Sequence, residues 1–335
     1  MMNIVFVNSF EKRDPEDNTL TAQVSISERE GIWQAQWSEP DGDGQTLHER
    51  WFEGVDWHEL MTAFRTKLAE KASSGFLPLI DDMYDMETPS GRSKYGQMLH
   101  FYSEVNGNDE LFQKLRHWRR EQAVKEGKPS YIVATNRVLR MISCFRPHTS
   151  QELMCIPGFG EHKCSLYGTD ITVLTKEYER SSVFPLDWVT RRVDSYQFRL
   201  WQHKQKELKL KAELERKAAR QRLLQLVSEG QPLELIVQVL QLQRREVIMA
   251  IEELETDGYD VEAFIESRLQ SVPEGEQEQA WKMFETEGDR YLKPIVQKLY
   301  DEEELKSKDI DHVYEWVRLL RIRFRKERNA EMQAV

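Results

Sequence analysis

Cysteine is scarce in this chain: three among 335 residues, with no Cys-x-x-Cys pair. So few thiols cannot build a disulfide framework at this length, and a reducing, cytoplasmic setting is expected. Cys144, His148, Cys155, His162 and Cys164 fall within 21 positions, but their spacings match no usual zinc-ligand pattern, so buried or incidental residues are expected there. Long apolar runs are also missing. No stretch approaches the roughly 20 residues needed to span a bilayer, so a soluble protein is expected. The opening MMNIVFVNSFEKR has no basic residue ahead of its short apolar run, and no secretory signal is read in it.

Catalytic signatures are missing as well. A nucleotide-binding P-loop needs Gly-x-x-x-x-Gly-Lys-Ser/Thr, whose N–H groups wrap the phosphates while the Lys and hydroxyl reach phosphate and magnesium. The chain has one Gly-Lys pair, Gly127-Lys128, and Pro129 follows it. His48-Glu49 and His58-Glu59 each begin the His-Glu-x-x-His of zinc proteases, but the fifth positions are Phe52 and Thr62. The acidic run DDMYDME (Asp81, Asp82, Asp85, Glu87) has the oxygen ligands for a divalent metal, yet its Pro/Gly-flanked setting reads as a solvated loop. No enzyme, no cofactor and no metal are expected. A nuclease with its active site in the N-terminal domain is the alternative that this acidic run keeps open.

What the chain has in plenty is charge, unevenly placed. The formal net charge is −11. Residues 1–109 carry 9 Lys+Arg against 20 Asp+Glu, and residues 226–335 carry 15 against 25. Between them, residues 110–178 carry 11 against 7 and residues 179–225 carry 12 against 6, so the basic excess lies entirely in the middle. A polyanionic partner is expected to meet the chain there.

The length allows several cores, and the patterning predicts a mainly α, multidomain protein. Residues 3–10, 20–29 and 31–38 mix β-branched and aromatic residues and read as strands, with EPDGDGQ at 39–45 as a turn. Asp56 with Glu59 opens a helix carrying Leu60, Phe64 and Leu68, which Ser74 and Gly75 stop. Residues 1–80 are therefore expected as a small, acidic α+β domain, and 81–109 as a linker. From Leu111 nearly everything reads as helix. Residues 110–178 form a helical bundle with the basic residues Arg116, Arg119 and Arg120 on its first helix. Residues 179–225 form a basic helical connector, within which Trp188 to Leu226 suits one long helix, and 226–335 form a C-terminal module.

The stretch CIPGFGEHKCSLYG, residues 155–168, joins two of these helices. Gly158 and Gly160 are too close for a P-loop. The order helix, IPGFG, helix is a helix-hairpin-helix turn, in which glycines let the backbone turn tightly and come close to a partner. The N–H groups that open the second helix offer a positive dipole end to a phosphate, and Lys163 adds a side-chain charge. The surrounding LRHWRRE, PSYIV before NRVLRMI, RPHTSQEL, IPGFG and the following YG together resemble the HRDC domain, the helicase-and-RNase-D C-terminal module, over about 70 residues. The resemblance implies an auxiliary nucleic-acid-binding bundle, a clamp rather than a reaction centre.

Farther along, LELIVQVL, a turn at Leu240 to Gln243, and a second helix with Val247, Ile251 and Leu254 inside have the layout of a helix-turn-helix. This segment resembles the module appended after HRDC in some bacterial RecQ-type helicases. Arg244 and Arg245 open its second helix, where nucleic-acid contacts would come from. The terminal RLLRIRFRKER, with Trp316, Leu319, Leu320, Ile322 and Phe324, offers more apolar surface than one small domain needs to cover: part is open to docking on the helix-turn-helix, and a remainder left exposed and rimmed by arginines would meet a protein partner, the role expected for this module more than DNA binding. IWQAQW, GQT and AFRTKLAEKASSGF are similar to WGR domains, with WSEPDG standing in place of the Trp-Gly-Arg signature itself. The expected function is a non-catalytic nucleic-acid-binding accessory protein, serving DNA repair or recombination beside a RecQ-type helicase. A transcriptional regulator that reads an operator through the helix-turn-helix is the other alternative.

Overall fold

The computed structural model describes residues 3–13, 18–41, 45–79, 91–180 and 182–333, which divide into two compact units, Met1–Leu210 and Lys211–Val335. The acidic run DDMYDME lies outside the described residues, as do residues 42–44 of the expected turn. Among the described residues no helix is long and apolar enough to cross a membrane.

In the first unit, strands β1 (Asn3–Arg13), β2 (Thr19–Arg29), β3 (Ile32–Pro40), β4 (Thr46–Gly54) and β5 (Leu77–Pro78) form an antiparallel sheet in the order β4-β3-β2-β1-β5. One face carries Phe10, Ala22, Val24, Ile26, Ala35, Trp37 and Trp51, buried against Leu60 and Phe64 of α1 (Trp57–Ser73). Alternation puts these residues on one side, as a half-covered sheet requires. Asp56 caps α1, its carboxylate accepting from the Glu59 N–H at 2.8 Å. Gly75, at φ +112°, follows the helix end.

The rest of the unit is helical: α2 (Gly91–Asn106), α3 (Asp109–Glu126), α4 (Ser130–Val133), α5 (Asn136–Phe145), α6 (Ser150–Met154), α7 (Glu161–Lys176), α8 (Val189–Arg192) and the start of α9 (Ser195–Ser228). Leu111, Leu115, Leu139, Met141, Ile142, Phe145, Phe159 and Ile171 form the solvent-free centre of this bundle. Two expectations change here. Residues 91–106, within the stretch expected as linker, are a helix that buries Leu99 and Ser103 against the bundle. The long helix begins at Ser195 rather than near Trp188, because Asp194 accepts from the Gln197 N–H at 2.8 Å and caps a fresh start.

The second unit takes the end of α9 and adds α10 (Leu233–Leu240), α11 (Arg244–Thr256), α12 (Glu262–Leu269), α13 (Glu274–Glu287), α14 (Leu292–Leu299), α15 (Glu302–Ser307) and α16 (Ile310–Gln333). Helix α16 packs against α11, α12, α13 and α14. Of the two fates open to the apolar surface of the terminal helix, docking within the module is the one found among the described residues. Trp316, Leu319, Leu320, Ile322 and Phe324 are all buried, because α16 is the element around which the others assemble. Its arginines are turned to carboxylates of the same unit: Arg318, Arg321 and Arg325 to Glu252, and Arg325 and Arg328 to Asp289.

Candidate nucleic-acid interface

The hairpin between α6 and α7 is set from both ends. At its start, Thr149 Oγ1 accepts from the Glu152 N–H while Glu152 Oε2 accepts from the Thr149 and His148 N–H groups, a capping box that fixes where α6 begins. Within the turn, Ile156 and Phe159 are fully buried and pin the backbone to the core. Gly158 lies between them at φ +90°, and a Cβ there would come within 2.9 Å of Val138 Cγ2. Only glycine suits that position.

Gly160 is a different kind of glycine. It is the N-cap of α7 with extended backbone, a Cβ built on it meets nothing within 4 Å, and no side chain caps the helix behind it. The first N–H groups of an α-helix have no partner within the helix, so this end presents donors and the positive dipole end together. Lys163 stands in the first turn, half-exposed and without an ion-pair partner among the described residues. Glu161, also exposed in that turn, opposes it in part.

The structure adds a residue that the sequence did not single out. Arg137 donates to the Gly96 carbonyl oxygen at 2.9 Å, and Gly96 in turn lies against Pro157 of the hairpin. A guanidinium is thereby held beside the turn. Its only sequence signal was its place at the start of NRVLR.

The basic residues expected on α3 divide. Arg119 is buried and donates to the Ala134 carbonyl oxygen at 2.8 Å; burial, with Arg116 and Arg120 beside it, lowers its pKa. It ties α3 to the end of α4 and does not face solvent. Arg116 leans over the Phe112 ring and donates to Gln113. Arg120 is exposed with no hydrogen bond or ion pair among the described residues. No contact among them joins Arg116 or Arg120 to the hairpin. Arg244 and Arg245 belong to the second unit. Arg244 is held by Glu315, itself buried, and by Glu234, whereas Arg245 is exposed.

Of the eleven cations in residues 110–178, Lys114, Lys128 and Arg140 are paired with carboxylates, Arg119, Arg137 and Arg146 donate to backbone carbonyls, and Arg116 donates to Gln113. Arg120, Lys125, Lys163 and Lys176 are left for a partner. The cysteines nearby are poor nucleophiles: burial pushes the Cys144 thiol up to about 12, and it raises that of Cys155 as well, with Glu152 and Asp187 adding to the shift. Among the described residues no three His, Cys, Asp or Glu side chains gather to hold a metal.

The family model of the HRDC domain matches residues 108–174, the segment that contains this bundle from α3 to the hairpin and α7. Residues 108–174 are an HRDC domain. The HRDC domain's relatives are parts of larger proteins. The chain is 39% identical over 64 residues to the ATP-dependent DNA helicase RecQ of Bacillus subtilis (strain 168), covering 19% of this chain and 11% of that protein. It is 33% identical over 69 residues to the ATP-dependent DNA helicase UvrD2 of Mycobacterium tuberculosis (strain ATCC 25618 / H37Rv), covering 21% and 10%. The chain thus spans about a tenth of the length of the curated relatives it matches. No solved structure matches it significantly.

Proposed function

We propose that this chain is a non-catalytic nucleic-acid-binding accessory protein in which the HRDC domain grips a strand through the Gly160 helix end and Lys163, and that it works in the cytoplasm beside a RecQ-type DNA helicase in repair or recombination. The observation that carries the reading is the uncapped, unobstructed start of α7 with an uncommitted lysine in its first turn, on a domain shared with two DNA helicases. Phosphate suits that end because it offers N–H donors and positive potential at once. No P-loop pattern is present in the sequence, so ATP hydrolysis is assigned to a partner rather than to this chain.

The test is binding of a labelled single strand by the full chain across a salt series. Lys163→Glu should weaken binding and flatten the salt dependence by about 0.7 in log–log slope, the share of one phosphate. DNA-stimulated ATP turnover by the purified chain, or unchanged binding by Lys163→Glu, would overturn the reading. Operator reading by α11 has less support, because Arg244 at its start is engaged by Glu315 and Glu234.

A further inference from the structure

The second unit holds a cleft of about 950 Å³ where the starts of α11, α14 and α16 converge. Residues 226–335 carry 15 Lys+Arg. The side chain of Lys306 lies outside the described residues; of the remaining fourteen, ten are in ion pairs with carboxylates of the same unit. The four that are not are Arg245, Lys282, Arg290 and Lys293, and three of these four, Arg245, Arg290 and Lys293, line the cleft. In a segment with ten more carboxylates than cations, the uncommitted positive charge collects at one place.

A further feature points to a ligand. Tyr291 is 62% exposed at the edge, with the Arg290 guanidinium 5.2 Å from its ring centre. It is also the N-cap of α14, with no side-chain hydrogen bond to that helix, so unpaired N–H groups open at the same edge. Three carboxylates share the lining: Glu315 is paired with Arg244 and Arg268, Asp309 accepts from the Asp311 and His312 N–H groups, and Asp311 is exposed, so Asp309 and Asp311 offset part of the positive charge.

We propose that this cleft is a second binding site for single-stranded nucleic acid, with backbone phosphate on Arg245 and Lys293 and an unstacked base on Tyr291. Cations from two helices around an exposed aromatic ring are what a single strand uses, whereas an acidic peptide has no need of the ring. The ligand class rests on the reading of the HRDC domain given above; the site and its residues do not.

The experiment measures anisotropy of a fluorescent oligothymidylate with the full chain over a salt series. Four proteins are compared: wild type, Lys163→Glu, the pair Arg245→Ala with Lys293→Ala, and all three changes together. Removing the two phosphate-binding cations should weaken binding on the order of 25-fold at about 0.1 M salt and lower the slope by about 1.4. Tyr291→Ala should weaken binding with the slope unchanged, because stacking releases no counterions. Arg245 and Lys293 are exposed and unpaired, so the melting of the variant should match wild type, and Lys293→Arg should retain binding. If Lys163→Glu binds like wild type while the cleft pair fails, the HRDC reading falls and the cleft stands. Wild-type binding by the cleft pair overturns the proposal. So does loss of a polyglutamate peptide by that pair with the oligonucleotide retained, which would make the cleft a carboxylate site.

Discussion

The two glycines of the hairpin should answer mutation with opposite signs. Gly158→Ala puts a Cβ at φ +90°, which costs an L-residue about 1–2 kcal/mol. The same Cβ lies 2.9 Å from Val138 Cγ2, a stiff β-branched group in the core, and relieving that clash costs about 1–3 kcal/mol more. The bundle should therefore melt lower by at least about 8 °C in calorimetry of the full chain. Gly160→Asp, by contrast, enters open space on extended backbone at an N-cap that has no side-chain acceptor. A carboxylate there satisfies a free N–H and complements the dipole, stabilising by about 0.5–1 kcal/mol. The same carboxylate occupies the donors that a phosphate needs and repels it. The expected result is a protein that melts higher and binds single strands more weakly than wild type. A higher melting point with undiminished binding would show that the α7 N-terminus does not touch the strand, and a lower one would refute the geometry of the turn.

Other consequences follow from the placement of individual charges. Arg119→Met should destabilise the bundle by about 1–3 kcal/mol, because the Ala134 carbonyl is left without its donor, while Arg120→Ala should leave melting within about 0.5 kcal/mol and weaken strand binding. Glu252→Ala strips Arg318, Arg321 and Arg325 of their shared carboxylate, and with Arg321 buried the second unit should lose about 3–5 kcal/mol in urea unfolding. Burial alone would raise the Asp289 carboxyl, but Arg325 and Arg328 outweigh it and hold it below its ordinary value. A group with a depressed folded pKa contributes stability above its unfolded pKa and loses it as the pH falls through the folded one. The second unit should thus weaken on acidification below about pH 4, and Asp289→Asn should flatten that dependence in a pH-melting series.

Local signals were legible where one residue does one job. Asp56 as a cap, the Thr149–Glu152 box and the Gly158 turn each rest on a side chain bonded to nearby backbone or on a single torsion, and the structure has them all. Strand β4 was missed because its polarity hides it: in TLHERWFEG only Trp51 is buried. Helix α2 was missed because its inner side is Gly96, Leu99 and Ser103 rather than an aliphatic stripe, the glycine being where Arg137 and Pro157 come close. Which arginines are free was not legible at all. Arg119 and Arg120 are adjacent in sequence and Arg244 and Arg245 likewise, yet in each pair one is consumed by the fold through a partner 15 to 71 positions away.

Segment charge misjudges such a protein because it counts cations that the fold has already used. Residues 110–178 and 226–335 differ by fourteen in net charge, +4 against −10, yet each keeps four uncommitted cations among its described side chains. The acidic excess of the second segment acts at long range, and the cleft cations act at close quarters. At physiological salt the screening length is about 8 Å, so a strand segment seated in the cleft feels its cations and little of the carboxylates beyond that length. At about 0.01 M salt that length grows to about 30 Å, and the same carboxylates repel the approaching strand. Removing exposed acidic residues outside the lining of the cleft, such as Glu274 and Glu278, should therefore speed association at low salt and leave it unchanged at physiological salt, whereas removing Lys293 should slow or weaken binding at both.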